Sequence, residues 1–124
     1  MWRFYEFLSI SGRGRITEWC EGLNEEAQQE FDVLLRYLSV LDNQFWVRPW
    51  FAPHSHRIYE MRFHANNVQY RPLGFFGPNR HEYTILIGAS KKGKIWTPAD
   101  ACRGALNRMA IVLSDRRRIR EYDF

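Results

Sequence analysis

Apolar residues recur with strand-like and helical periods along the chain, and these periods predict an order of elements. The segment RFYEFLSI comes close to alternating apolar and polar residues, and the turn-like SGRGR follows it. This pattern predicts a strand over about residues 2–9. ITEWCEG predicts a short helix from Ile16 to Gly22, and Asn24 is placed to cap a longer helix with acidic residues in its first turn. The apolar stripe of that second helix, which should lie across a sheet, consists of Ala27, Phe31, Leu34, Leu35, Leu38 and Leu41.

The middle of the chain predicts a loop and then a β-meander. Residues 43–57 contain two prolines and no clear period, so we expect an irregular connection there. Three strands are expected next, RIYEMRFH, VQYRPLGFF and EYTILIGAS, separated by the turn segments ANN and GPNR. Pro72 favours an edge or a bulge in the second of these strands.

A helix is expected at the C-terminal end. Thr97 is predicted to be its N-cap, with Pro98 at the first helical position, and the cations of DRRRIR suit its negative end. Its buried face is predicted to consist of Ala101, Ala105, Met109, Val112 and Leu113. The order of N-terminal strand, helical hairpin, antiparallel β-meander and C-terminal helix predicts an α+β fold in one domain that spans residues 1–124.

Composition favours a folded protein of a reducing compartment. The chain has 124 residues, of which 45% are hydrophobic, and this is enough to bury a core without cross-links. Cys20 and Cys102 are too few for a disulfide framework. Because no segment resembles a signal-peptide core or a membrane span, we expect a cytoplasmic protein that does not contact membranes.

Charge is distributed unevenly along the chain, whose net charge is +4. Residues 1–50 carry five Arg against eight acidic residues, a net charge of −3. Residues 51–124 carry thirteen Lys and Arg against six acidic residues, a net charge of +7. A polyanion would therefore bind the second half.

The only three lysines of the chain, Lys91, Lys92 and Lys94, lie in one turn beside Trp96, whose flat face could stack on a base. Strand alternation places Glu60, Arg62 and His64 on one face of their strand. Arg62 and Arg71 can therefore share one face of the neighbouring hairpin.

A positive site for a phosphodiester is predicted from four of these residues. Its members are Arg62, Arg71, Lys91 and Lys92. Such a site could cut RNA without a metal, because cations stabilise the charge that accumulates on the phosphoryl oxygens when the 2′-hydroxyl attacks. A neutral lysine or histidine would serve as the base.

Other chemistries have weaker support. His54 and His56 form an H-x-H pair, but no cysteine or carboxylate has a matching spacing for a metal site. The chain has no P-loop, no dinucleotide-binding fingerprint and no G-x-S-x-G motif. We therefore expect neither a metal nor a cofactor.

Two long segments, IYEMRFHANNVQYRPLGFF and YTILIGASKKGKIWTPADACRGALNRM, resemble the RelE/ParE superfamily of toxins, and within it the HigB-like branch of phage-derived proteins. ITEWCEGLNEEAQQEF resembles the first helical hairpin of that branch. Where the branch has a basic residue before its Y-E-L-R strand, this chain has His54, His56 and Arg57. The positions that match the branch are Tyr59, Glu60, Arg62, Tyr70, Arg71, Lys91, Lys92, Thr97 and Pro98.

The resemblance implies a RelE-like fold and a toxin of a type II toxin–antitoxin system that cuts mRNA on the ribosome. Its implied partners are mRNA, the ribosome and a HigA-like antitoxin with a helix-turn-helix domain. Further RNA contacts are predicted at His56, Arg57, Lys94 and Trp96. Two alternatives stay open: a ParE-like inhibitor of DNA gyrase, and a catalytically inactive phage-derived binding module.

Overall fold

Three α-helices and two β-sheets make up the structure, a computed structural model that describes residues 1–124. The helices are α1 (Arg15–Glu21), α2 (Glu25–Ser39) and α3 (Ala101–Ser114). The strands are β1 (Arg3–Phe7), β2 (Phe51–Ser55), β3 (Ile58–Met61), β4 (Phe63–Ala65), β5 (Val68–Tyr70), β6 (Leu73–Phe76), β7 (Glu82–Ile87), β8 (Ser90–Lys92), β9 (Ile95–Thr97) and β10 (Ile119–Glu121). The predicted α+β class is therefore confirmed.

The larger sheet has the strand order β10-β1-β7-β6-β3-β2. β1 runs parallel to β7, and the other neighbouring strands are antiparallel. One face packs on α1 and α2 through an apolar cluster that includes Phe31 and Leu35, and a second cluster that includes Ala105 and Val112 lies under α3. The sheet is thus the middle layer between the helical hairpin and the C-terminal helix.

Both N-terminal helices are confirmed. The Asn24 side-chain oxygen accepts a hydrogen bond from the Ala27 backbone N–H at 2.9 Å, which is the predicted cap of α2. The stripe from Ala27 to Leu38 is buried against the sheet, as its helical spacing predicts.

No helix of the structure is both long and apolar enough to cross a bilayer.

The predicted meander is divided between two sheets. The segment RIYEMRFH forms β3 and β4, which belong to different sheets and meet at Arg62. VQYRPLGFF likewise forms β5 and β6, and the break falls at Arg71 and Pro72, where proline has no N–H to donate to a ladder. The third segment bends at Gly88, where a Cβ would collide with the ring of Trp19, and continues into the smaller sheet, whose order is β4-β5-β8-β9.

The prediction of a loop over residues 43–57 was wrong in part, because β2 occupies the second half of this segment and pairs with β3. Pro53 argued against a strand in the sequence, because proline has no N–H to donate to a neighbouring strand. β2 lies at the edge of the sheet, where a missing N–H is tolerated. Phe51 and Ala52 are buried, and their burial stabilises the strand.

Both ends of the C-terminal helix differ from the prediction. Thr97 is not an N-cap but the last residue of β9, and α3 begins only at Ala101. The helix ends at Ser114, before the arginines, and the chain then forms β10 against the free edge of β1. Leu113 is exposed and Met109 is only half-buried, so the buried face is narrower than predicted.

Candidate functional site

Arg62 and Arg71 lie side by side where the chain crosses between the two sheets. Arg62 connects β3 to β4, and Arg71 follows β5 just before the chain returns to the larger sheet. Their backbone N–H groups donate to the carbonyl oxygens of Trp50 and Ala89 at 2.7 and 2.8 Å. These bonds fix the backbone at both crossovers, so the two arginine side chains are attached at well-defined positions.

Glu60 joins both arginines to a histidine. Glu60 is only 5% exposed. Oε1 accepts a hydrogen bond from Arg62 Nε at 2.6 Å and lies 3.7 Å from Arg71 Nε, while Oε2 is 2.9 Å from His54 Nδ1. One carboxylate therefore faces three basic side chains, and positive charge remains in excess.

Arg71 has the most unusual environment of this group, with a side chain only 15% exposed. Burial lowers the pKa of its guanidinium, the neighbouring Arg62 cation lowers it further, and Glu60 opposes both effects. An arginine remains charged in any protein, so the unfavourable environment favours an anion that could neutralise it.

Four side chains form a row across the smaller sheet. His64 pairs with Gln69, Gln69 with Lys91, and Lys91 with Trp96 in the antiparallel registers. Directly opposed residues of paired strands lie on the same face, so the four side chains share one surface. Lys91 Nζ lies 5.6 Å from the centre of the Trp96 ring, within the range of a cation–π contact.

Two contacts connect this row to Glu60 and its basic partners. Arg71 Nη2 donates to Gln69 Oε1 at 2.8 Å. The rings of His54 and Trp96 meet edge to face with their centres 5.1 Å apart. We name the joined residues the junction site: His54, Glu60, Arg62, Gln69, Arg71, Lys91 and Trp96.

Three of the four residues predicted to be catalytic belong to the junction site, namely Arg62, Arg71 and Lys91. Lys92 follows Lys91 in β8, so its side chain projects from the opposite face of the smaller sheet. It is exposed and pairs with Ile95 in β9. The four cations are therefore not all gathered around one point, and their roles remain predictions.

The predicted RNA contacts are spread over two hairpins. Trp96 is in the junction site, and Lys94 is exposed in the turn between β8 and β9. His56 and Arg57 form the turn between β2 and β3. His56 Nδ1 is 2.8 Å from Ser55 Oγ, and the Arg57 guanidinium lies 6.0 Å from the centre of the Phe75 ring.

Sequence reasoning missed His54 and Glu60 as members of the site. The sequence placed His54 in an H-x-H pair and in the segment before the Y-E-L-R strand, but gave no sign that its partner is the Glu60 carboxylate. Alternation did place Glu60 on the same strand face as Arg62, and this was the available signal. The link to His54 depends on the pairing of β2, which was predicted to be a loop.

A groove of about 1100 Å³ adjoins the junction site between α2 and the smaller sheet. One wall carries Arg62 and Arg71, and the opposite wall carries Glu26 and Glu30 of α2. Trp50 contributes an apolar surface. The two arginines thus border an open space large enough for an extended ligand.

Comparison with known proteins identifies a family. No curated protein and no solved structure matches the chain. Residues 18–110, about three quarters of the chain, match the family model described as phage derived protein Gp49-like (DUF891). This is a toxin-like family related to the RelE/ParE type II toxins. The chain therefore belongs to the Gp49-like family of phage-derived proteins.

Proposed function

We propose that the protein is a HigB-like toxin of a type II toxin–antitoxin system that cuts mRNA on the ribosome without a metal ion. The observation that carries this proposal is the convergence of Arg62, Arg71, Lys91 and Trp96 in the junction site. Membership of a toxin-like family supports the biological setting.

The junction site suits single-stranded RNA in two ways. Arg62 hydrogen-bonds to Glu60 through Nε only, so both of its terminal nitrogens are available for a phosphate. Trp96 presents an aromatic surface on the same face as Lys91, and unpaired bases stack on such surfaces. A nucleotide could therefore place its phosphate against the cations and a neighbouring base against the indole.

The chemistry follows from the charges. Attack of a 2′-hydroxyl on the adjacent phosphorus increases the negative charge on the phosphoryl oxygens. Arg62, Arg71 and Lys91 are already held in position before the substrate binds, so they would stabilise this charge without reorganisation. The substrate must be RNA, because DNA lacks the attacking hydroxyl.

We propose an antitoxin as the partner that restrains this activity. The relation of the Gp49-like family to RelE/ParE toxins supports an antitoxin, and the resemblance to the HigB-like branch suggests a HigA-like protein with a helix-turn-helix domain. A short neighbouring gene that encodes such a protein would support this pairing.

The proposal is tested with purified protein, translating ribosomes and a defined mRNA. We expect cleavage within the translated region, a 2′,3′-cyclic phosphate on the upstream fragment, and intact mRNA when ribosomes are omitted. Supercoiling by DNA gyrase is measured in parallel. Intact mRNA together with inhibited supercoiling would instead identify a ParE-like gyrase inhibitor.

Salt dependence gives a second test. If three cations each neutralise a phosphate, the logarithm of the affinity for single-stranded RNA should fall with the logarithm of salt concentration with a slope of about −2. Fluorescence anisotropy with a labelled oligoribonucleotide measures this slope, and Lys91→Ala should make it shallower. Arg117→Ala is the matched control, since Arg117 is 91% exposed and belongs to the segment beside β10, at the other edge of the larger sheet. An affinity that does not change with salt would contradict a phosphate-binding site.

A further inference from the structure

His54 lies at an irregularity in the hairpin of β2 and β3. Pro53 pairs with Tyr59 and Ser55 pairs with Ile58, so His54 is the one extra residue between two successive pairs. An inserted residue of this kind is a β-bulge, which bends a strand and redirects a side chain. The bulge explains how His54 comes to face Glu60 and Trp96 from an edge strand.

Glu60 determines which nitrogen of His54 can accept a proton. A carboxylate only accepts hydrogen bonds, so the Nδ1 atom 2.9 Å from Glu60 Oε2 carries the ring proton in the neutral imidazole. Nε2 then holds the free lone pair and makes no hydrogen bond within the protein. The same carboxylate would stabilise the imidazolium that forms when Nε2 takes up a proton.

The other basic groups of the site are less suited to accept a proton. Glu60 is buried, and each of its oxygens already accepts a hydrogen bond from a neighbouring side chain, so neither oxygen is free to contact a substrate hydroxyl. The Lys91 ammonium is engaged with the Trp96 ring, whose centre lies 5.6 Å from Nζ. Arginines do not lose their protons.

His54 is also the only one of the four histidines that contacts Glu60. His56 is bonded to Ser55, and His81 packs on Trp2. His64 lies at the far end of the row across the smaller sheet. With a side chain 19% exposed, His54 combines a fixed orientation with access for a ligand.

We propose that His54 Nε2 accepts the proton of the attacking 2′-hydroxyl during cleavage, an inference that rests on the proposed function. The 2′ oxygen forms a bond to phosphorus while the bond from phosphorus to the 5′ oxygen breaks. The leaving 5′ oxygen takes a proton from water. The products are a 2′,3′-cyclic phosphate and a 5′-hydroxyl, and the imidazolium later returns its proton to solvent.

Chemical rescue tests this role. His54→Ala should lower the rate of mRNA cleavage on translating ribosomes by about 100-fold or more, since a general base typically contributes about 10²–10⁴-fold. Added imidazole should restore part of the lost rate, in proportion to the concentration of neutral imidazole, because it can fill the space left by the ring. His81→Asn is the control, since it also removes an imidazole but should cleave at the wild-type rate in the presence and absence of added imidazole.

The outcomes separate the inference from the proposed function. If wild type leaves the mRNA intact, both are wrong. If wild type cleaves and His54→Ala cleaves equally fast, only the role of His54 is wrong. If His54→Ala binds RNA and unfolds at the wild-type temperature but is inactive and unresponsive to imidazole, His54 does not carry the proton.

Discussion

Arg71→Ala is expected to lower mRNA cleavage on ribosomes by about 10²–10³-fold, the usual effect of removing one preorganised contact to a developing negative charge. Arg71 is held by hydrogen bonds to Gln69 and to the Tyr70 carbonyl oxygen. Its guanidinium therefore does not need to be ordered during the reaction. The loss should fall mainly on the cleavage step measured in single turnover, and less on RNA binding.

Two comparisons make the Arg71 experiment specific. Arg117→Ala removes the same charge from an exposed side chain beside β10 and should cleave like wild type. Lys91→Ala should reduce cleavage more than Lys92→Ala does, because only Lys91 faces Trp96. Rates are taken per folded protein, since Arg71 is largely buried and its loss also removes a partner of Glu60. Wild-type cleavage by Arg71→Ala would contradict the site.

Glu6→Ala is expected to lower the free energy of unfolding by about 3 kcal/mol or more, because it removes a buried, fully bonded carboxylate. The Glu6 side chain is 2% exposed. Oε1 accepts from the backbone N–H groups of Ile16 and Thr17 at 3.0 and 2.8 Å. Oε2 accepts from Thr17 Oγ1 at 2.8 Å and from Arg120 Nε at 3.1 Å.

This carboxylate joins three parts of the chain, since it connects β1 to the first turn of α1 and to β10. Gly14 precedes α1 at the same point, and a Cβ there would collide with the Glu6 carboxyl group. Removing the carboxylate would leave without an acceptor the buried N–H group of Ile16 and the partly buried N–H group of Thr17.

Urea denaturation measures the effect of Glu6→Ala. Glu121→Ala is the matched control, because Glu121 lies in β10 and forms an ion pair with Arg3 at 2.7 Å, but its side chain is 45% exposed. An exposed pair contributes at most about 1 kcal/mol. Equal losses in the two variants would show that burial of Glu6 adds no stability.

Part of the junction site was predictable from short-range pattern. Alternation along a strand placed Arg62 with Glu60, and the lysine turn brought Lys91 close to Trp96. These relations depend only on spacing within a few residues. The pairing of His54 with Glu60 did not follow, because it requires β2 to pair with β3 and to carry a bulge.

Lys92 differs in position from Lys91, although the adjacent lysines in the sequence suggested a shared site. Once Ser90–Lys92 forms a strand, successive side chains point to opposite faces. Which lysine joins the junction site thus depended on which segments of the turn became strands.

By itself, the sequence determined the helical hairpin and the apolar faces. Asn24 caps α2, and the stripe from Ala27 to Leu38 is buried, because both depend on hydrogen bonds and periods within one helix. Only the tertiary structure decided which sheet each strand joins. β1 pairs with β7 and β10 from distant parts of the chain, and the break at Arg71 and Pro72 separates two sheets. A strand's partner is whichever free edge the folded chain presents to it, and this is a property of distant residues that no local pattern contains.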